Sequence, residues 1–332
     1  PRVGWRPHSL NPIVAGSRYR CLNPLRAMHS QGDIDAELFD PRRAHTYTIV
    51  VYQALCVRHV EEDAGLAPNV LHAAYELRRQ GATLVVDECD NHFHNPKGSL
   101  SWSKTSANIR SLIDLSDQVV TSTQALANEL RSATGTAKPV TVIGDAVESD
   151  NEVDFDPAWR RILSLKRKAA HLRQRALASV LRAESSNGVT QLVWFGNHGT
   201  SYAEGGMLDL LKVRPLLEQL HKRHPLSLTV ISNSEPKYLE HIKPWAIPSR
   251  YVTWDRTTFL ELLRLHDIAL IPITRDPFTV CKSNNRLATA LRAGLAVVAD
   301  SIPSYEAFSS ACILDDWDTG LASYLCSPDR RA

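Results

Sequence analysis

Two methionines, six cysteines and a formal charge of only +2 remove several classes of protein from this 332-residue chain. The cysteines are scattered without any C-x-x-C spacing, which excludes a zinc ribbon or a disulfide frame and fits free thiols in a reducing compartment. No metal ligand set is expected. Lys and Arg number 38 against 36 Asp and Glu, so no global field gathers nucleic acid, and no nucleic-acid partner is expected. No window approaches the roughly 18 consecutive apolar residues of a membrane span. Pro1-Arg-Val-Gly-Trp5 reads directly as a strand, without the pattern of a secretory leader, so a cytoplasmic location is expected. Low-complexity tracts and short internal repeats are absent from the sequence. What is present is a 43% hydrophobic composition, enough to bury an ample core, over a length that suggests two domains.

Apolar runs alternate with helical patterns from end to end, which argues for parallel α/β architecture. In the first half, strands are expected near Val3–Trp5, Thr48–Tyr52, Ala82–Val86, Gln118–Thr121 and Val140–Ile143, with helices over Asn69–Gln80 and Ser106–Leu115. The second half restarts at Gln191–Phe195 and continues with Ser227–Ile231, Arg250–Trp254, Ile268–Ile273 and Ala296–Ala299. Each half reads as a doubly wound, Rossmann-like unit, and two such units are expected to face each other across a cleft. The expected divisions are 1–150, a linker helix over 151–187, and 188–332. In sheets of this kind ligands collect at the carboxyl ends of the strands.

The linker pattern carries no acidic residue from Pro157 to Ala183. Trp159, Ile162, Leu163, Leu177, Val180 and Leu181 share one face at helical periodicity, and Arg160, Arg161, Arg167, Lys168, Arg175 and Arg182 share the other. Lys166 and Arg173 intrude on the apolar stripe. An amphipathic helix packed on the protein, with a solvated basic face, is the plainer expectation. Peripheral membrane contact through 157–183 is the sharper one, and would make the protein membrane-associated.

The most informative stretch is Asp276–Asp300. Ile268–Ile273 before it is a buried-strand pattern, and Leu287, Ala290, Leu291 and Gly294 after it recur on one helix face. Lys282-Ser-Asn-Asn-Arg286 therefore sits where a loop turns into a helix. Ser283, Asn284 and Asn285 are N-cap residue types, and a helix N-terminus attracts anions. Lys282 and Arg286 flank it, with Arg275 in the preceding loop.

This stretch resembles the donor-binding segment of GT-B-fold glycosyltransferases, the nucleotide-sugar-dependent group with a Glu-x7-Glu element. Ala293-Gly-Leu-Ala-Val-Val298 matches the small-residue, Gly, Val-Val ending of that segment. Gly16-Ser-Arg-Tyr-Arg20 after a first strand, and Trp194-Phe-Gly-Asn-His-Gly199 after the first strand of the second half, extend the resemblance. The two glutamate positions are Cys281 and Thr289 here, so the family's ribose contact is not carried over. The resemblance implies an acceptor-side first domain, a second domain that binds the nucleotide sugar, and no cofactor beyond that substrate.

Donor contacts are then expected from Gly196, Asn197, His198, Gly199, Ser232, Asn233, Trp254, Arg275, Lys282, Ser283, Asn284, Asn285 and Arg286. Gly196 and Gly199 can let backbone approach a phosphate, although alone they read as turn chemistry. Trp254 can stack on a base or simply pack. Gly16, Ser17, Arg18 and Arg20 are expected to meet acceptor or phosphate, or to lie on the surface. The general base is expected among Asp90, His92 and Asp87, which follow the strand Ala82–Val86. The same cluster also reads as metal ligands or as a polar loop with capping aspartates.

The function expected is metal-independent transfer of a sugar from a nucleotide-diphospho-sugar to a glycan or lipid-linked saccharide, in surface-polysaccharide assembly. A nucleotide-sugar 2-epimerase of the same fold, or a non-catalytic nucleotide-sugar-binding module, are the alternatives.

Overall fold

The computed structural model describes residues 1–32, 34–147, 160–199 and 205–327, and of 160–168, 170 and 171 only the helical backbone. The expected boundary at 150/151 and Trp159 lie outside the described residues, as do the side chains of Arg160, Arg161, Ile162, Leu163, Lys166, Arg167 and Lys168. The chain forms two compact units. The first comprises Pro1–Ala146, Arg275–Ser283 and Ile302–Ser304; the second comprises Val147–Thr274, Asn284–Ser301 and Tyr305–Ala332.

The first unit holds strands β1 (Arg2–Arg6), β2 (Asp35–Leu38), β3 (Ile49–Gln53), β4 (Thr83–Glu88), β5 (Gln118–Thr121) and β6 (Val140–Val142), in the order β2-β1-β3-β4-β5-β6. Every pairing is parallel. Parallel pairing requires crossover connections, and these cover both faces of the sheet. On one face, Val50 and Tyr52 of β3 pack with Leu84, Val86 and Val119 against Val70, Ala74 and Leu77 of helix Leu66–Arg79 and Ile109, Leu112 and Ile113 of helix Leu100–Leu115. Val51, between them in sequence, points to the other face and joins Val3, Leu22, Leu25 and Ala36.

The second unit holds β7 (Thr190–Phe195), β8 (Leu226–Ser232), β9 (Ser249–Thr253), β10 (Ile268–Ile271), β11 (Ala296–Ala299) and β12 (Ile313–Leu314). Its order is β12-β11-β10-β7-β8-β9, again all parallel. Leu192 and Trp194 of β7 join Leu228, Val230, Leu270 and Val298 in one core. The two strands not expected from sequence, β2 and β12, are both sheet edges. Asp35-Ala-Glu-Leu38 carries acids and little apolar surface, as edge strands often do, and β12 is two residues long.

Helix Arg160–Ser186 docks on the second unit through a narrower seam than its sequence pattern implies. Ala178 and Leu181 are buried and Leu177 is half-buried, whereas Val180 is 49% exposed and Leu172 65% exposed. Val180 is one residue from Leu181, about 100° around a helix, and the seam does not extend that far. The expectation that Leu177, Val180 and Leu181 share one buried face is corrected accordingly.

Just before β10, His266 is buried; its Nδ1 faces the Leu262 carbonyl at 3.0 Å and its Nε2 has no partner. Burial pushes its pKa down to about 4, against smaller upward pulls from the Leu262 and Leu263 carbonyls. An unfolded histidine takes up its proton near 6.5, so between these values the unfolded chain binds more protons. The contribution to stability is complete above the unfolded value and is lost as pH falls toward the folded one. His266→Gln should remove about 2 kcal/mol of the stability loss between roughly pH 6.5 and 5, measured by urea unfolding across that range. An unchanged pH slope would clear His266 of this role.

Candidate active site

In the second unit, the chain moves outward from β7 through β8 to β9, then returns to the other side of β7 at β10. That reversal opens a crevice at the carboxyl ends of β7 and β10, the position where doubly wound sheets bind ligands. The turn Gly196–Gly199 lies there, directly after β7. Ser232, at the end of β8, is buried and donates its hydroxyl to the Gly196 carbonyl at 2.8 Å. Asn233 Oδ1 accepts the His198 backbone N–H at 3.0 Å and lies 2.9 Å from His198 Nδ1. Asn197 Oδ1 accepts from Gly199 N at 3.1 Å, and Lys237 Nζ donates to the His198 carbonyl at 3.0 Å. The turn is thus held from three sides by polar contacts.

Two buried carboxylates fix the neighbouring strand ends. Asp209 accepts from Gly206 N at 2.9 Å and from Thr274 N at 3.0 Å. Asp300 accepts from Ile273 N at 2.7 Å, Lys212 Nζ at 2.8 Å and Trp317 Nε1 at 2.8 Å. Burial pushes the Asp300 carboxyl up, but these donors outweigh it and hold the pKa below its ordinary value.

Arg286 enters from the first turn of helix Asn285–Arg292, the helix that follows β10. Its guanidinium carbon stands 5.7 Å from the centroid of the buried Trp194 ring, within range of a cation–π contact. A Cβ at position 196 would come within 2.8 Å of Arg286 Nη2, and Gly196 has φ +154°. Glycine suits the backbone conformation here, and a Cβ would push the Arg286 guanidinium from its place. Among the described residues the Arg286 guanidinium makes no hydrogen bond or ion pair. Asn284 stands at the N-cap position of this helix without a side-chain cap bond, and Asn285 is its first residue. Trp254, after β9, packs 6.0 Å from the Phe259 ring, which in turn lies 5.3 Å from Phe195.

The first unit reverses between β1 and β3. Gln53, the last residue of β3, draws the loop after β1 onto the sheet: its Nε2 donates to the Gly16 carbonyl at 2.8 Å and its Oε1 accepts from His8 N at 3.0 Å. Ser17 is buried beside it. Arg18 and Arg20 are buried as well, which removes the surface reading of both. Arg18 Nη1 donates to the Pro12 carbonyl at 2.6 Å, closing its own loop. Arg20 grips Asp87 through Nη2 at 2.5 Å and Nε at 3.1 Å, and reaches Asp145 at 3.3 Å. Asp145 also accepts from Ser283 Oγ at 2.5 Å. Burial pushes the Asp87 carboxyl up against the pull of Arg20. Burial lowers Arg20 in turn, but the hydrogen bond and charge of Asp87 outweigh this and leave it raised.

Asp90 is ion-paired with Lys282 at 2.5 Å, and the same ammonium sits 4.1 Å from the Phe278 ring centroid. His92 is fully enclosed, its Nδ1 2.6 Å from Glu88 Oε1. His92 Nε2 and Glu88 Oε2 are both buried without partners. Burial lowers the His92 pKa, but the Glu88 carboxylate more than offsets this and leaves it raised. Arg275, Lys282 and Ser283, expected in the donor half, belong to the first unit. Arg275 is exposed there. Among the described residues, no group of three His, Cys, Asp or Glu side chains is arranged to hold a metal ion.

No protein-family model and no curated protein sequence matches the chain. Solved structures do. An α,α-trehalose-phosphate synthase (UDP-forming) from Burkholderia vietnamiensis aligns with a TM-score of 0.59 at 12% identity, over 99% of this chain and 91% of that one. A trehalose-6-phosphate synthase OtsA structure aligns at 0.50 and 15% identity, over 85% of this chain and 66% of that one. A point mutant of S. aureus TarM, in complex with fondaparinux, α-GlcNAc-glycerol and UDP, aligns at 0.53 and 10% identity, over 86% of this chain and 49% of that one. The chain has the GT-B fold. It spans about two thirds of the OtsA structure's length and about half of TarM's.

Within this GT-B frame, sequence reasoning finds the Gly196–Gly199 turn and Arg286, but misses Lys237, Asp209, Gln53, Asp145 and Glu88. Glu88 has a visible signal, lying four residues before His92 in the acidic run Asp87-Glu-Cys-Asp90. Gly196→Ala should displace Arg286 and strain the backbone, lowering stability by about 1–3 kcal/mol. In the Arg286→Ala background the same change should cost less, because the clash is gone. A double-mutant cycle on unfolding free energies checks this, and strict additivity would separate the two residues.

Proposed function

We propose that the chain is a glycosyltransferase that moves a sugar from a nucleotide-diphospho-sugar to a glycan or lipid-linked saccharide. The observation that carries this reading is the Arg286 guanidinium, without a hydrogen bond or ion pair among the described residues, beside the glycine turn at the reversal point of the second sheet, on a GT-B fold. A nucleoside diphosphate leaving group gathers negative charge as the glycosidic bond breaks, and a fixed cation with backbone N–H groups stabilises that charge. Arg286 takes this role; the turn Gly196–Gly199, whose Gly196, His198 and Gly199 N–H groups are already bonded, lets the phosphate approach, and Lys237 braces it through the His198 carbonyl. Lys282, expected together with Arg286 to meet the phosphate, is already ion-paired with Asp90, so the assignment rests on Arg286. Transfer without an obligatory metal is part of the proposal, because Arg286 meets the leaving-group charge. Polysaccharide assembly and a cytoplasmic location belong to it by analogy with the fold alone.

For the acceptor proton, His92 fits best among Asp90, His92 and Asp87. Asp87 is committed to Arg20 and Asp90 to Lys282. His92 has one ring nitrogen on Glu88 and, among the described residues, no partner for the other, the arrangement of a base oriented by a carboxylate; its ring is enclosed here, so this role requires the loop Cys89–His94 to open to the acceptor. Glu88 is then a positioning residue, fixing the tautomer.

A thermal-shift screen against UDP, GDP, CMP and dTDP should raise the melting temperature with one nucleotide class. Arg286→Ala should weaken the nucleoside diphosphate by roughly 10–100-fold, the worth of a charge-assisted contact of about 1.5–3 kcal/mol, and barely change the free nucleoside. Equal losses would remove Arg286 from the phosphate site. Chelator should leave transfer intact; loss restored by manganese would overturn the metal-free part. Isomerisation of the donor without acceptor would point to an epimerase, and binding without any turnover to a non-catalytic module.

His92→Gln should lower kcat by about 10²–10⁴-fold with donor affinity unchanged. If His92→Gln, Asp90→Asn and Asp87→Asn each kept parental turnover, none of the three would be the base, and the donor phosphate would become the candidate to receive the proton.

A further inference from the structure

Helix Arg160–Ser186 presents two faces that do different things. Its inner face holds it to the second unit: Ala178 and Leu181 are buried, Gln174 Nε2 donates to Glu261 at 2.8 Å, and Glu184 is ion-paired with Arg250 at 2.5 Å. Its outer face is apolar too. Ala169, Leu172, Ala176, Val180 and Ala183 recur at helical spacing and all are exposed, Leu172 at 65% and Val180 at 49%. Arg173 borders this stripe on one side, and Arg175 and Arg182 border it on the other, all exposed. Among the described residues these three guanidinium groups make no ion pair. The acids nearest in sequence and packing are already engaged, Glu184 by Arg250 and Glu261 by Gln174. Beside the helix, a groove of about 810 Å³ is lined by Leu172, Ala178 and Leu265, by Gln174 and its partner Glu261, and by Arg175 and Arg182.

A solvated basic face needs no exposed leucine and valine, and a buried apolar face needs no border of free arginines. Apolar side chains flanked by cations on one helix match the boundary of an anionic bilayer, where acyl methylenes lie beneath phosphate headgroups. A second copy fits badly, since pairing this face with itself brings both sets of arginines together. We propose that the outer face of helix Arg160–Ser186 docks the protein on an anionic lipid surface, with Leu172 and Val180 entering the acyl boundary and Arg173, Arg175 and Arg182 meeting headgroup phosphates. This docking surface goes beyond the transfer reaction and does not depend on it.

The test is co-sedimentation of the whole protein with vesicles of phosphatidylcholine alone or mixed with phosphatidylglycerol. Binding is expected to the mixed vesicles, weak or absent on the neutral ones, and reduced by raised salt. Replacing Arg173, Arg175 and Arg182 together by Gln should weaken partitioning on the order of 100-fold, at about fivefold per basic residue near the surface. Leu172→Ser with Val180→Ser should weaken it with charge unchanged. These side chains are exposed, so circular dichroism and melting temperature should match the parent. Equal binding to neutral vesicles, no binding to the mixed ones, or full binding by both variants would overturn the proposal. So would a lipid-free dimer, seen by light scattering, that the Leu172/Val180 variant dissolves.

Discussion

Parallel pairing is the constraint from which the rest of each unit follows. A parallel sheet cannot be closed by tight hairpins, so every strand must be followed by a crossover, and every strand's carboxyl end faces the same edge of its sheet. The segments after the strands therefore gather there: the loop after β1 and Cys89–His92 after β4 in the first unit, Gly196–Gly199, Asn233 and Arg286 in the second. Where the order of winding reverses, two of those segments diverge and leave room. Both sheets supply this opening, by different orders, β2-β1-β3 in one and β8-β7-β10 in the other.

Charge is managed differently at the two reversal points. In the first unit, bases and acids are spent on each other: Arg20 with Asp87 and Asp145 and His92 with Glu88 in the interior, and Lys282 with Asp90 half-exposed. Such pairs bring little net stability, because desolvation offsets most of the attraction, but losing one partner leaves a buried charge uncompensated. They fix geometry more than they add stability. In the second unit, Asp209 accepts from backbone N–H groups and Asp300 from Ile273 N, Trp317 Nε1 and the Lys212 ammonium, while among the described residues Arg286 makes no hydrogen bond or ion pair. Among the described residues the charges of the first set are paired off, and Arg286 in the second is not.

The strands are legible because a sheet covered on both faces writes itself as an apolar run: Ile49–Gln53, Gln191–Phe195 and Ala296–Ala299 could hardly be read otherwise. The edges β2 and β12 leave no such run. The Gly196–Gly199 turn is legible from its place after the first strand of the second half. Lys237 and Asp209 are not, because their partners are the His198 carbonyl and the Thr274 N–H, backbone groups that folding alone brings near. Arg18 and Arg20 read as phosphate ligands or surface groups because charged side chains are rarely buried, and nothing local to Gly16–Arg20 announces Asp87 as a partner. The long helix is recognisably amphipathic from its spacing, but sequence periodicity does not say how wide a seam the docking surface offers.

The composition of the first unit bears on how the protein is made. Its core strands end at Val142, yet it also takes in Arg275–Ser283 and Ile302–Ser304. Lys282 neutralises Asp90, Asn91 donates to the Pro277 carbonyl, and Thr123 donates to the Cys281 carbonyl. Those partners leave the ribosome only after more than a hundred further residues have been added. Until then, Asp90 and Asn91 have water for company, and the amino-terminal half waits half-finished. The amino-terminal half of this gene product is therefore not a module that recombination could lift out and graft elsewhere intact: a cut near the middle of the chain would separate its side chains from the carbonyls and the cation that complete them.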